Sequence, residues 1–342
     1  MRKSIKSKRK FSVVELFAGA GGLALGLEKA GLKSVLLNEI DKDSCKTLKL
    51  NRPNWNVIEG DVRKLDLKHL QGKIDVVSGG FPCQAFSYAG NKLGFEDARG
   101  TLFFEFARIV NEVKPAICLG ENVRGLQNHD NGKTLKGMID VLEEIGYNVV
   151  TPKVLKAVEL GVPQKRERII IIGIRKDLEI KFQFPTPIKE EFTMRDVLFA
   201  GKLYDVDVPE SPGVAYPQSK AEVLDKVPPG GYWRDLPVDI QKEYMGGSYY
   251  LGGGKTGMAR RLSLDEPSLT LTCSPAQKQT ERCHPIETRP LSVREYARIQ
   301  TFPDGWKFEG SVASNYRQIG NAVPVNLGYH LGIELIRALN QL

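Results

Sequence analysis

The stretch Ser12-Val13-Val14-Glu15-Leu16-Phe17-Ala18-Gly19-Ala20-Gly21-Gly22-Leu23-Ala24 decides the fold. Its first half is a short apolar run that ends in glycine, which is how a buried strand reads. Its second half, from Gly19, fits G-x-G-x-x-A and opens a helical stretch. Glu39 follows 20 residues beyond Gly19, at the end of the next apolar run, Ser34 to Leu37. Glycines let the backbone approach a ligand, and an acid at that spacing can accept hydrogen bonds from ribose hydroxyls. A nicotinamide dinucleotide, S-adenosylmethionine and a purely structural glycine turn all remain open at this point.

Outward from this unit, Ile74 to Val77, Ala116 to Leu119 and Ile169 to Ile172 read as further buried strands. Helical stretches at Leu102 to Val113 and Thr134 to Ile145 lie between them. Such alternation predicts an α/β fold with a doubly wound, mostly parallel sheet, whose ligands sit at the carboxyl ends of the strands. After Pro185 the texture changes: residues 185–250 hold seven Lys or Arg against eleven Asp or Glu, with little periodicity. Residues 251–285 are Gly-rich and basic, and helical patterning resumes from Ser292. The expected organisation is a basic arm at 1–10, a sheet domain at 11–184, and a smaller irregular domain at 185–312. A C-terminal segment, 313–342, then returns to the sheet.

The 342 residues are 41% hydrophobic and 26% charged, an ordinary composition for a globular protein. No apolar run approaches the roughly 18 residues of a membrane span. Five widely spaced cysteines suit a reducing compartment, so a cytoplasmic protein is expected. Of the net charge of +8, the six Lys or Arg of residues 1–10 supply most. That arm is either a solvated tail or a set of phosphate contacts.

Chemistry concentrates where strands end. Gly79-Gly80 would break the strand at Ile74 to Val77, and Phe81-Pro82-Cys83-Gln84 would then present a thiol at the sheet edge. A thiol becomes a nucleophile once it is a thiolate. Glu121-Asn122 follows another strand and offers a carboxyl beside an amide, the groups that a heteroaromatic ring nitrogen and exocyclic amine require. Either motif alone would more often be structural; their convergence on one sheet edge suggests covalent catalysis on a pyrimidine. Asp61, after a third strand, suits an adenine amino group or a helix cap. The block Gln164 to Arg168 places basic groups at a strand entrance, or forms a solvated cluster that guards an aggregation-prone strand. Gly254-Lys255-Thr256 is no P-loop, because Tyr249 stands where that motif needs glycine. With no C-x-x-C pair, no metal site is expected.

These residues, taken in order, resemble the DNA (cytosine-5) methyltransferases of bacterial restriction–modification systems. The matching blocks run from Glu15–Gly22 through Asn38–Asp41, Gly60–Val62, Gly80–Ser87, Arg99–Leu102, Glu121–Val123 and Gln164–Arg168 to Arg289–Glu295 and Gln318–Pro324. The span from about 185 to 288 corresponds to the family's variable target-recognition region. The resemblance implies an S-adenosylmethionine site at Phe17, Gly19, Gly21, Gly22, Glu39, Ile40, Asp61, Val62 and Leu102, closed by Asn321 and Val323. Ile40 departs from the Trp that many members stack on the adenine. Cys83 is implied as the nucleophile, Glu121 as the ring-nitrogen partner with Asn122 beside it, and Arg168 as a polar contact to the base. Gln84 and Ser87 begin a loop that closes over DNA, and Arg166 supports the site or faces the DNA.

The function implied is methyl transfer to carbon 5 of a cytosine flipped out of double-stranded DNA, through a covalent Cys83 adduct. A monomer in the cytoplasm, associated with the nucleoid and paired with a possible cognate endonuclease, completes the expectation. A tRNA cytosine-5 methyltransferase is the nearest alternative and an NAD-dependent dehydrogenase the alternative of another class. For reading the DNA sequence the basic stretch 251–285 is favoured, through Lys255, Arg260, Arg261, Lys278 and Arg282, with Gln277 and Gln279 suited to base edges.

Overall fold

The computed structural model describes residues 10–82, 101–252 and 255–342. The chain divides into two compact units, residues 1–156, 167–187 and 323–342 in the first, residues 157–166 and 188–322 in the second.

The first unit begins with β1 (Ser12–Leu16), α1 (Gly22–Ala30), β2 (Lys33–Glu39), α2 (Lys42–Asn51), β3 (Val57–Glu59) and β4 (Val76–Gly79). It continues through α3 (Leu102–Val113), β5 (Ile117–Val123), α4 (Lys133–Glu144) and β6 (Tyr147–Lys156). The short strand β7 (Gln164–Lys165) belongs to the second unit, and β8 (Glu167–Arg175) returns to the first. The seven-stranded sheet has the order β3-β2-β1-β4-β5-β8-β6. Strands β3, β2, β1, β4 and β5 pair in parallel, while β8 runs antiparallel to both β5 and β6. Strand order reverses between β1 and β4, and ligands of open α/β sheets bind outside the carboxyl ends at such a point.

The fold class is the one the apolar runs implied. Every run read as a strand overlaps β1, β2, β4, β5 or β8. Strand β6 carries no such run, because it is the sheet edge and Pro152 sits at a register shift between Val150 and Lys153. Proline tolerates such places because it has no N–H to give the ladder.

The core under the sheet joins Val14, Leu16, Val77, Ile169 and Ile171 to Phe103, Phe106, Val110 and Val141 from the helices. Helix α10 (Val325–Leu339) packs on α1 within the same unit. The contact is close enough that a Cβ on Gly26 would lie 2.5 Å from the carbonyl oxygen of Val325.

In the second unit β7 pairs in parallel with β9 (Ser268–Leu269). Its helices are α5 (Met194–Leu198), α6 (Gln218–Asp225), α7 (Val238–Met245), α8 (Val293–Ile299) and α9 (Val312–Asn321). Much of its remaining backbone is irregular. A core of Leu224, Val227, Trp233, Leu236, Met245 and Met258 holds α6 and α7 together. Among the described residues no helix is long and apolar enough to cross a membrane.

Candidate active site

The turn after β1 puts Phe17, Gly19 and Gly21 at φ of +56°, +54° and +84°. Such left-handed backbone favours glycine, and a Cβ on Gly19 would meet nothing within 4 Å. Glycine at 19 therefore serves the backbone conformation and leaves open space above it. Glu39, at the end of β2, ties this turn down. Its Oε2 accepts from the amide of Gly19 at 2.7 Å, and its Oε1 from the amides of Ile40 and Asp41 at 2.8 Å each. Ile40 is 66% exposed beside it.

Asp61 follows β3 and caps a short 3-10 turn by accepting from the amide of Arg63 at 3.0 Å. The Arg63 guanidinium also grips both carboxylate oxygens, which holds the Asp61 carboxyl below the usual range. Val62 is buried. Leu102 starts α3, where Thr101 caps the helix by accepting from the amide of Phe104 at 3.2 Å.

Two polar groups hide among the apolar residues of the central strands. Glu15 on β1 and Ser78 on β4 are register partners. Both are buried, and Glu15 Oε2 and Ser78 Oγ have no hydrogen-bond partner among the described residues. Burial pushes the Glu15 carboxyl up to about 8, against the opposing pull of the Ala24 amide. A buried polar atom without a partner is costly unless something binds there.

On the other side of the switch point, Gly79 and Gly80 end β4 and Phe81 inserts into the core. Its ring lies 5.2 Å from that of Phe103 and 5.6 Å from that of Phe106. The Asn122 amide donates to the carbonyl of Phe81 at 2.9 Å, and its Oδ1 accepts from the amide of Val123. Asn122 is thus occupied in holding the turn that leads through Pro82 into Cys83. Cys83 itself, with Gln84 and Ser87, lies outside the described residues.

Glu121 precedes Asn122 at the end of β5, and Arg168 enters β8 one strand over; the register pairs Val123 with Arg168. Arg168 Nε sits 2.8 Å from Glu121 Oε1, with both side chains almost buried. A Cβ on Gly80 would come within 2.9 Å of Glu121 Oε2. The missing side chain at 80 is what makes room for that carboxylate beside the turn into Cys83. A carboxyl group oriented by arginine at the end of β5 can share a proton with the ring nitrogen of a heteroaromatic base.

Residues 11–337 match the C-5 cytosine-specific DNA methylase family. The chain belongs to that family. It is 64% identical over 338 residues to the Type II methyltransferase M.Eco47II of Escherichia coli, covering 98% of this chain and 81% of that one. It is 54% identical over 344 residues to M.Sau96I of Staphylococcus aureus, covering 99% and 78%. A prophage-encoded E. coli protein described as a DNA modification methyltransferase shares the fold with a TM-score of 0.69 at 24% identity, over 97% of this chain and 100% of that one. The protein is a DNA (cytosine-5) methyltransferase.

In the second unit of the methyltransferase, the cations expected on DNA divide into two groups. Arg166, Arg261 and Arg282, expected on DNA or, for Arg166, in support of the site, are buried with their guanidinium groups on backbone carbonyls. Arg166 donates to the carbonyl of Gly320 at 3.0 Å. Arg261 donates to the carbonyl of Leu224 at 2.8 Å and to Thr288 Oγ1 at 2.7 Å. Arg282 donates to the carbonyl of Thr270 at 2.6 Å and to that of Glu281. Gln164 and Arg166 alternate with exposed Lys165, which is strand periodicity rather than a solvated cluster.

Lys255 bonds the carbonyls of Ser248 and Leu251, and Arg260 lies over the Tyr232 ring at 5.6 Å. Lys278 is exposed between exposed Gln277 and Gln279. Asn321, in the second unit, accepts from Cys273 Sγ at 3.2 Å, whereas Val323 is buried in the first. The sequence reading passed over Glu15 and Ser78. Their one signal was a carboxyl inside an otherwise apolar strand.

Proposed function

We propose that this methyltransferase uses S-adenosylmethionine to methylate a cytosine flipped out of double-stranded DNA, through a covalent adduct of Cys83. The observation that carries the reading is the Glu121–Arg168 pair at 2.8 Å, packed over Gly80 at the head of the turn into Cys83. The glycine turn, Glu39, exposed Ile40, Asp61, Val62 and Leu102 ring the carboxyl end of the sheet and would hold the cofactor. The orphaned Glu15 Oε2 and the open space over Gly19 fit a bound group there. When bound, S-adenosylmethionine supplies an electrophilic methyl group.

Carbon 5 of cytosine is a poor nucleophile, so the ring must first lose its aromaticity. The Cys83 thiolate adds to carbon 6, opening the C5–C6 double bond. The Glu121 carboxyl delivers a proton to the ring nitrogen, where negative charge develops, and takes it back when the ring is restored. Arg168 holds Glu121 in line, and Asn122 holds the turn that carries the thiol. Carbon 5 then accepts the methyl group. Loss of its proton restores the double bond and expels Cys83 as thiolate. Covalent activation of this kind replaces one difficult step by easier ones. A paired base cannot reach the thiol, so flipping it out costs a few kcal/mol.

On this reading Gln84 and Ser87 belong to the loop that meets the DNA, and the second unit recognises the target. Similarity to Type II methyltransferases supports a protective role in a restriction–modification system, alongside an endonuclease that need not touch this chain. Work as a monomer in the cytoplasm, at the nucleoid, is part of the same proposal. The test is a duplex carrying 5-fluorocytosine at the target, where fluorine blocks the final elimination. A covalent complex that forms with the wild type and not with Cys83→Ala is expected; no complex under turnover conditions would sink the mechanism.

A further inference from the structure

We propose that Lys220 and Glu281 form a buried clamp that sets the pose of residues 276–281, so that Gln277 and Gln279 present their amides to base edges of the target DNA. The inference rests on the reading that the second unit recognises DNA, and it names the element that does so.

Residues 275–282 leave the unit as a loop closed at its neck, where the Arg282 amide donates to the carbonyl of Pro275 at 3.0 Å. Lys220, on α6, reaches into this loop. Its Nζ lies 2.6 Å from Glu281 Oε1 and donates to the carbonyl of Ala276 at 2.8 Å. Glu281 is fully buried, and its Oε2 accepts from the Tyr244 hydroxyl of α7 at 3.2 Å. Lys278 braces the loop from the other side by donating to the carbonyl of Tyr244 at 2.9 Å. The loop is thus hung between α6 and α7 by two ammonium groups.

The packing underneath cannot do this work. An open cleft of about 430 Å³ lies there, lined by Lys220, Val223, Ile240, Tyr244 and Lys278. Polar contacts, rather than apolar filling, fix the loop on that side. On its other side the fit is tight: a Cβ on Gly257 would fall 2.2 Å from the carbonyl oxygen of Gln279.

The outcome is a rigid tip with exposed side chains. Among the described residues the Gln279 side chain has no hydrogen-bond partner, while Gln277 Oε1 is reached only by Thr280 Oγ1 at 3.5 Å. An amide offers a donor and an acceptor side by side and can read a base edge bidentately, adenine above all. That discrimination requires the amide to be held still, and a buried ion pair is suited to fixing register.

The experiment uses the full chain and a randomised duplex library read out by methylation. Glu281 and Lys220 are replaced together, as Lys220→Met with Glu281→Leu, since a buried pair exchanged for apolar residues often leaves stability intact. Gln279→Ala and Lys220→Arg are the companions. The double variant and Gln279→Ala should relax the choice of base at the same one or two positions, by about tenfold or more. The KM for S-adenosylmethionine should stay within about twofold, and Lys220→Arg should keep the preference. A clamp variant that melts earlier yet keeps its site preference would reduce the pair to a structural role. Unchanged preference in Gln279→Ala, with other substitutions in 251–285 altering it, overturns this inference and leaves the proposed function standing. If no substitution anywhere in the second unit changes preference, the reading of that unit fails as well.

Discussion

The two units differ in what satisfies their backbone. In the sheet unit, backbone pairs with backbone along seven strands, so side chains at the strand ends are available for chemistry. Glu121 and Arg168 hold each other there, and Glu15 and Ser78 keep unpartnered oxygens. In the second unit little backbone is paired in ladders, and arginines take over that task. Buried Arg298 donates to the carbonyls of Val197, Val206 and Asp207, in the manner of Arg261 and Arg282. A buried carbonyl left alone costs free energy, and a guanidinium offers five donors. Arg168 beside the paired strands holds a carboxylate, whereas Arg261, Arg282 and Arg298 in the irregular unit are committed to backbone carbonyls.

The comparison breaks most visibly at Glu121. If strand-end side chains act on the substrate, Glu121→Gln should slow methyl transfer by about 100- to 10,000-fold, the usual range of acid–base assistance. DNA affinity should change little, because the amide keeps the shape and one hydrogen bond to Arg168. Single-turnover rates that match the wild type would return the Glu121–Arg168 pair to a structural part.

The second unit predicts the reverse pattern. Arg261→Ala removes a buried guanidinium that reaches the carbonyls of Leu224, His284 and Glu287 and the hydroxyl of Thr288, at a cost on the order of 3 kcal/mol in folding stability. Exposed Gln279→Ala should stay within about 0.5 kcal/mol. Denaturant midpoints measure both. An Arg261→Ala protein of wild-type stability but altered site preference would make this arginine a reader of DNA after all.

This contrast also explains which parts of the molecule were legible from residues alone. Buried central strands read as apolar runs whatever their direction, so β1, β2, β4, β5 and antiparallel β8 stand out, and the place of Glu121 follows from the end of β5. Strand β6 escaped because an edge needs no such run and Pro152 interrupts it. The bond of Asn122 to Phe81 was not legible, because it crosses 41 residues of chain. In the 251–285 stretch, composition counted positive charges but carried no information on whether each faces solvent or a carbonyl. Burial separates Arg261 and Arg282 from Lys278.

Glu15 sharpens the comparison through pH. Its carboxyl sits at about 8 in the folded protein, above its ordinary 4.5. The folded state therefore favours the protonated form. That contribution is complete below pH 4.5 and is lost as pH rises toward 8, by about 1.4 kcal/mol per pH unit at most. Glu15→Gln should flatten the fall in stability between pH 5 and 8 in the protein without cofactor. Unfolding curves across that range decide it; identical slopes for the two proteins would mean that Glu15 is solvated or paired.

The smallest effect is expected where the units look alike. Each carries exposed apolar side chains: Ile40 at 66% in the first, Tyr250 at 78% and Leu251 at 66% in the second. Ile40 follows Glu39, whose carboxylate is fastened to the Gly19 amide, so the two flank one end of the proposed cofactor site. An isoleucine there can cover one face of an adenine, but its branched surface meets a flat ring poorly. Ile40→Trp would replace that contact by stacked aromatic rings, a gain of about 0.5–1.5 kcal/mol beyond area. The dissociation constant for S-adenosylmethionine should fall by about two- to tenfold, with stability unchanged because the position is open to solvent. Calorimetric titration of both proteins measures it, and unchanged or weaker binding would place the adenine away from residue 40.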